Sequence, residues 1–218
     1  MKRIIIICEG PTELEFCKDV LSQHLSTKDI FIQTPLIKKS GGGIVPWPSL
    51  RKQIENHLLQ DTQAIVTTFI DYYGIPDKFQ FPGWGESKKI QDKYERMEFL
   101  QQAMIHDINP SLQHRFSPYL QLHEFEALLL SDIESLRSII PASDFTNIIE
   151  LTSTIKENPN PELINDTPGN APSYRLKRSI IGYNKIVYGA ILAEKIGIDR
   201  IRKKCPGFNK WVTEMEND

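Results

Sequence analysis

MKRIIIICEGPTELE, residues 1–15, is the stretch that decides the fold. Ile4, Ile5, Ile6, Ile7 and Cys8 run without a polar break, the pattern of a strand buried on both faces in a parallel sheet. Glu9-Gly10-Pro11 ends the run. Thr12, with Glu15 three residues on, then has the spacing of a helix capping box. Glu9 therefore belongs at the carboxyl end of a central strand, where a helix begins. That edge is where open α/β sheets bind ligands. A carboxylate there is costly to bury unless a cation, a proton or hydrogen-bond donors compensate it.

Working outward, residues 64–70 (AIVTTFI) form the second long apolar, β-branched run and end in Asp71-Tyr72-Tyr73-Gly74. Again a carboxylate stands where a buried strand meets a loop. Residues 118–122 (PYLQL) predict a third strand running into His123-Glu124-Phe125-Glu126, and residues 30–37 (IFIQTPLI) a strand whose Pro35 suits a sheet edge or strand end. Helices are expected over 13–24, over 49–60 with Ser49 as cap, over 86–107, and after a capping-box pattern from Ser131 to Glu134. The loop Lys38 to Gly43 carries lysines and glycines that can cradle phosphate through backbone amides. It lacks both the P-loop spacing and GxGxxG, so a plain connection is the preferred reading. Residues 75–85 (IPDKFQFPGWG) form a long Pro/Gly/aromatic loop of the kind more often functional than idle. Tyr72 and Tyr73 either stack on a base or cap the core. From about residue 141 the strand signal stops. Residues 158–173 read as a loop and 174–217 as short helices. The expected organisation is an α/β core over 1–140, with a mainly parallel central sheet flanked by helices, and a helical region over 141–218.

Composition bounds the function only loosely. With 218 residues, 40% hydrophobic and 25% charged content, and a net charge of −2, the chain reads as an ordinary globule whose average charge names no partner. Cys8, Cys17 and Cys205 have no CxxC spacing and read as reduced thiols of a cytoplasmic protein. The apolar run after Met-Lys-Arg is too short for a signal peptide, and no stretch approaches the ~18 apolar residues of a membrane span. Charge distribution says more. Residues 120–174 hold nine acidic against two basic residues, and residues 175–210 hold ten basic against two acidic. Such blocks suit either a cation centre beside a phosphate-binding face or two solvated surfaces that offset each other. The basic candidates for gripping a polyanion include Arg175, Lys177, Arg178, Arg202, Lys203 and Lys204.

All strands of a parallel sheet end on one edge, so Glu9, Asp71 and the Glu124/Glu126 pair can converge from three segments. Carboxylates gathered in one cleft repel one another unless Mg²⁺ or Mn²⁺ sits among them, and such a centre performs phosphoryl transfer or phosphodiester cleavage. His123 is a candidate general base or, when charged, a phosphate partner, although a structural role is the commoner fate of such a histidine. Glu13 and Glu15 read as first-turn helix charges.

EGPTE after a hydrophobic strand, with Asp71 ending a later one, resembles the Toprim fold of type IA and II topoisomerases, bacterial primases and overcoming-lysogenization-defect nucleases. Over nearly the whole chain, the motifs EGPTE, DYYG, FPG, HEFEALL, NPELIND and CPGFNxW resemble an uncharacterised bacterial family, often found beside restriction or phage-defence genes. They stand at residues 9–13, 71–74, 81–83, 123–129, 160–166 and 205–211. The Toprim resemblance implies that Glu9 is a general acid/base or metal ligand and that Asp71 is the first aspartate of a Mg²⁺-binding DxD pair. Tyr73 stands where the second aspartate would be, leaving Glu124 or Glu126 to supply the missing ligand. The leading expectation is a Mg²⁺- or Mn²⁺-dependent nuclease or phosphodiester hydrolase, with DNA ahead of RNA, in defence against foreign DNA. The alternatives are a nucleotide or phosphoester hydrolase, and a non-catalytic regulatory or binding partner of an ATPase-type defence system. A homo-oligomer is compatible with any of these.

Overall fold

In the computed structural model, which describes residues 1–38, 43–164 and 169–217, the isoleucine run forms β1 (Lys2–Cys8). It lies beside β2 (Ile30–Gln33) and β3 (Ile65–Asp71), and β3 pairs in turn with β4 (Leu120–Gln121). All pairings are parallel and the order is β2-β1-β3-β4. The chain is thus α/β, a four-stranded parallel sheet flanked by helices, with a helical C-terminal part. Ile4 to Cys8 are all buried, as the unbroken apolar run requires of a central strand. β2 is an edge strand, and its line continues past Pro35 only as a bridge between Cys8 and Leu36.

The helices follow in order. A helical run comprises α1 (Pro11–Phe16), a π-helical segment Cys17–Leu21 and α2 (Ser22–Ser26). Next come α3 (Trp47–Gln60), α4 (Trp84–Ser87) and α5 (Lys93–Asp107). After β4 come α6 (Glu126–Leu129), α7 (Ile133–Ile139), α8 (Ile148–Glu157) and α9 (Pro172–Ser179). The last are α10 (Lys185–Ile196), α11 (Ile198–Lys204) and α12 (Pro206–Asn217). Among the described residues no helix is long and apolar enough to cross a membrane.

Contacts divide the chain into two compact units, residues 1–14 with 25–122, and residues 15–24 with 123–218. In the first, Ile5, Ile7, Val66, Ile70 and Leu120 on the sheet share one core with Leu50, Ile54 and Leu58 of α3 and Met97, Leu100 and Met104 of α5. In the second, Phe16 meets Phe125 and Phe208 edge-on at 5.4 and 5.8 Å, and Phe208 meets Trp211 at 5.8 Å. All three cysteines are buried free thiols.

Four local expectations are corrected. The first helix is capped two residues earlier than the Thr12/Glu15 pattern suggests. Glu13 reaches back to accept from the Gly10 amide at 2.9 Å, the reciprocal half of a capping box centred on Gly10. The cap of α7 is Asp132, which accepts from Ser135 N at 2.9 Å, and α3 opens at Trp47 after Pro46, ahead of Ser49. The strand expected over 118–122 pairs only at Leu120–Gln121. The amides that face β3 are those of Ser117, which donates to Val66 O at 3.0 Å, and Tyr119, which meets a side chain in place of a strand carbonyl. That side chain is Thr68, whose Oγ1 donates to Tyr119 O at 2.9 Å and accepts from Tyr119 N at 3.0 Å.

At the amino end of β1, Arg3 holds Asp61 through two hydrogen bonds of 2.7 and 2.9 Å. The guanidinium, helped by the Gln63 amide, keeps the Asp61 carboxyl at about 2. Its folded pKa is below the unfolded one, so this bridge contributes stability above about pH 4 and loses it as pH falls toward 2. Arg3→Met therefore lowers the urea midpoint at pH 7, and the gap to the wild type closes as pH falls toward 2. A gap that is constant with pH would contradict this assignment.

Candidate functional site

β1 leads to β2 on one side and β3 leads to β4 on the other, so the strand order reverses between β1 and β3. The crevice beyond the carboxyl ends of two such strands is the usual ligand position in an open α/β sheet. Glu9 and Asp71 stand there. The Glu9 amide continues the ladder, donating to Phe69 O at 3.0 Å, which fixes the direction in which its side chain leaves β1. Its carboxylate crosses to the neighbouring strand, where Oε2 accepts from the Asp71 amide at 3.0 Å. A Cβ on Gly74 would lie 3.9 Å from Glu9 Oε1, so the DYYG turn passes close to the second oxygen. Gly43 N donates to the Glu9 carbonyl at 3.3 Å. Both carboxylates are half-buried, and Asp71 Oδ1 is fully enclosed. The sequence-predicted pair is thus brought together, with a backbone donor fixing one member on the other's strand end.

The two tyrosines after Asp71 separate. Tyr72 donates its amide to Gln121 O at 2.9 Å and packs its ring against Trp84 at 5.3 Å, in contact with the core. Trp84 Nε1 donates to Asp77 at 2.8 Å, and Lys88 reaches the same carboxylate. The aromatic loop over 75–85 is therefore tied down by its own side chains. Tyr73 stays 49% exposed.

His123, Glu124 and Glu126 belong to the second unit. His123 is 7% exposed and has a left-handed backbone with φ of 70°, an uncommon conformation for a residue with a Cβ. Glu124 accepts from both N and Oγ of Ser173, at 3.0 and 3.1 Å. It thereby caps α9, whose own cap residue Ala171 has no side-chain acceptor. Glu126 is 2% exposed. Burial, then Glu126, then Glu124 push the Tyr183 phenol far above its usual range, so its hydroxyl stays protonated.

Sequence reasoning missed a second remote cap. Glu162, 0% exposed, accepts from Gly207 N at 2.8 Å and Phe208 N at 3.0 Å, the opening amides of α12. Asn160 positions it by accepting from Glu162 N at 3.1 Å. The signal was present as two motifs, NPEL and CPGF. Each reads as half of a cap: an acid after a turn-former, and a Pro-Gly helix start with no acceptor of its own. Burial, then Glu162, raise the Cys205 thiol well above its usual range.

The basic candidates are largely engaged within the second unit. Arg178 bonds Glu150 and the Gly169 carbonyl, and Arg175 bonds Asn170 O and Thr154 Oγ1 at 2.8 and 3.0 Å. Arg202 holds Glu216 through both nitrogens, at 2.7 and 3.0 Å, together with Thr213 and Asn209. Lys177 lies 5.9 Å over the Tyr174 ring. Lys203 is exposed and Lys204 half-buried. Of the glycine-rich loop, residues 39–42 lie outside the described residues, as do Asn165 and Asp166 of the NPELIND segment.

Among the described residues no group of three or more His, Cys, Asp or Glu is arranged to hold a metal ion. Glu9 and Asp71 have the donor chemistry of the other common arrangement, in which Mg²⁺ keeps several waters and takes one or two carboxylates plus substrate phosphate. A family model described as a domain of unknown function, DUF4276, matches residues 8–216. No curated protein and no solved structure matches the chain.

Proposed function

The chain belongs to the DUF4276 family, and we propose that it is a Mg²⁺- or Mn²⁺-dependent phosphodiester hydrolase acting on nucleic acid, built on a Toprim-like core. The observation that carries this reading is the bond from Asp71 N to Glu9 Oε2, which unites two carboxylate residues at the point where the strand order reverses. Glu9 and Asp71 would hold the cation. When bound, it would neutralise phosphate charge and lower the pKa of a water nucleophile. The chain's own part is orientation: the Asp71 amide fixes the Glu9 carboxylate, and the DYYG turn sets the wall of the crevice. Glu124 caps α9 with both oxygens, so the reading rests on Glu9 and Asp71.

A second reading, a hydrolase of nucleotides or other small phosphoesters, is favoured by the state of the arginines. Arg175, Arg178 and Arg202 already bond internal acceptors, which weakens the case for a polyanion grip along that segment. The third, a non-catalytic partner of an ATPase-type defence system, draws on Tyr73 in place of a second aspartate.

Purified protein with Mn²⁺ or Mg²⁺ is expected to cleave single-stranded or double-stranded DNA or RNA, and Asp71→Ala to abolish the cleavage. Release of phosphate from nucleotides alone would select the second reading. Absence of both activities, together with absence of metal binding by calorimetry, would select the third.

A further inference from the structure

The DYYG turn holds one aromatic ring that the fold does not use. Ile75 N donates to Tyr72 O at 3.3 Å, closing a turn with Tyr73 and Gly74 at its tip. Tyr72 is occupied by Trp84 and by the Arg96 guanidinium, 3.5 Å from its hydroxyl. Tyr73 is 49% exposed. Among the described residues of the first unit, the other exposed aromatics are Phe31 and Phe99. Phe31 is in register with Arg3, near the amino end of β1, and Phe99 lies against Gly83. Tyr73 is therefore the exposed ring at the carboxyl edge of the sheet. Two peptide units separate it from Asp71, a span of at most ~7 Å.

We propose that Tyr73 is a base-stacking residue that presents an unstacked nucleobase to the Glu9–Asp71 edge, making single-stranded nucleic acid the substrate class. The inference rests on the phosphodiesterase reading of that edge and deepens it. An aromatic face held at a fixed turn accepts any base, because every base has a π-face, and it accepts only bases free of a duplex stack. The same substitution that removes the second aspartate of a DxD pair thus supplies a substrate contact. A stacked base also brings its phosphate toward the carboxylates without help from the internally bonded arginines.

The test measures binding of an oligothymidylate and of an abasic oligomer of equal length in Ca²⁺, using wild type, Tyr73→Ala and Tyr73→Phe. Cleavage of bis(p-nitrophenyl) phosphate in Mn²⁺, a substrate without a nucleobase, reports the carboxylate pair separately. The wild type is expected to prefer the base-bearing oligomer. Tyr73→Ala should lose that preference by about 5- to 150-fold, the range of base–aromatic stacking, and Tyr73→Phe should keep it. Unchanged thermal melting of Tyr73→Ala excludes misfolding. A preference that survives Tyr73→Ala, or a wild type that does not distinguish the oligomers, overturns the proposal. If aryl phosphodiester cleavage persists in either case and is lost in Asp71→Ala, the reading of the edge stands without the stacking residue. Tighter binding of a duplex than of the single strand also overturns it.

Discussion

Glu162→Ala is expected to destabilise the second unit by about 3 kcal/mol, because it leaves two helix-opening amides without their acceptor in a buried setting. At roughly 2–4 °C per kcal/mol for a chain of this size, the melting temperature falls by about 6–12 °C. The acceptor of the opening amides of α12 is the Glu162 carboxylate. The cap position of α12 is Cys205, whose carbonyl accepts from Asn209 N at 2.8 Å and whose thiol lies 3.5 Å from Ser131 Oγ. Gly207 N and Phe208 N therefore depend on a carboxylate 45 and 46 residues away. Glu162→Gln retains one carbonyl acceptor and loses the charge, so about half the loss is expected. Thermal and urea unfolding of the two variants beside the wild type measure this. A Glu162→Ala protein that melts with the wild type would mean that the two bonds contribute nothing net.

That cap shows where the sequence was readable and where it was not. β1 and β3 were legible because a strand buried on both faces must be apolar at every position, and that pattern is local. Glu9 and Asp71 were legible for the same reason, as carboxylates interrupting the two most apolar runs. β4 was over-read because the apolar pattern of PYLQL does not show that the Tyr119 amide is taken by the Thr68 hydroxyl, which is visible only once the register is known. The helix caps were displaced by one to three residues, since propensity alone does not choose between Thr12 and Gly10, between Ser49 and Pro46, or between Ser131 and Asp132.

The charge blocks were visible but their use was not. Arg178 and Arg200, from the basic block, bond Glu150 and Asp132, from the acidic one. The two blocks thus partner each other inside one unit, and a sequence window sees the excess of each sign without the pairing. Glu124 illustrates the same limit. Read as a metal ligand from its place after a strand, it holds the amide and hydroxyl of a serine 49 residues on, which no sequence window shows. Glu124 and Glu162 follow one device: a helix that begins with proline after a residue without an acceptor, Ala171 or Cys205, receives its cap from a distant glutamate. The carboxylate faces the positive end of the helix in both cases, which compensates its burial without a metal.

Glu9 is the acid for which that structural explanation can be separated from a catalytic one. Its Oε2 also accepts a backbone amide, so Glu9→Ala would remove a strut and a charge together. Glu9→Gln removes only the charge, because the amide oxygen of glutamine can accept from Asp71 N in the same place. The expected result is a protein whose melting temperature stays near that of the wild type. Its metal-dependent phosphodiester cleavage should fall on the order of a thousandfold, since several kcal/mol of charge stabilisation disappear at tenfold per 1.36 kcal/mol. Metal affinity measured by calorimetry should fall in parallel. If Glu9→Gln cleaves as the wild type does, Glu9 serves the fold alone, as Glu124 and Glu162 serve helices. The carboxylate edge then has Asp71 as its one reactive acid, with water and substrate phosphate as the other ligands of the cation. If Glu9→Gln instead melts well below the wild type, the negative charge is needed for folding, and the cation reading must be tested on Asp71→Asn. The two outcomes fall on different measurements, so the strut and the ligand do not masquerade as each other.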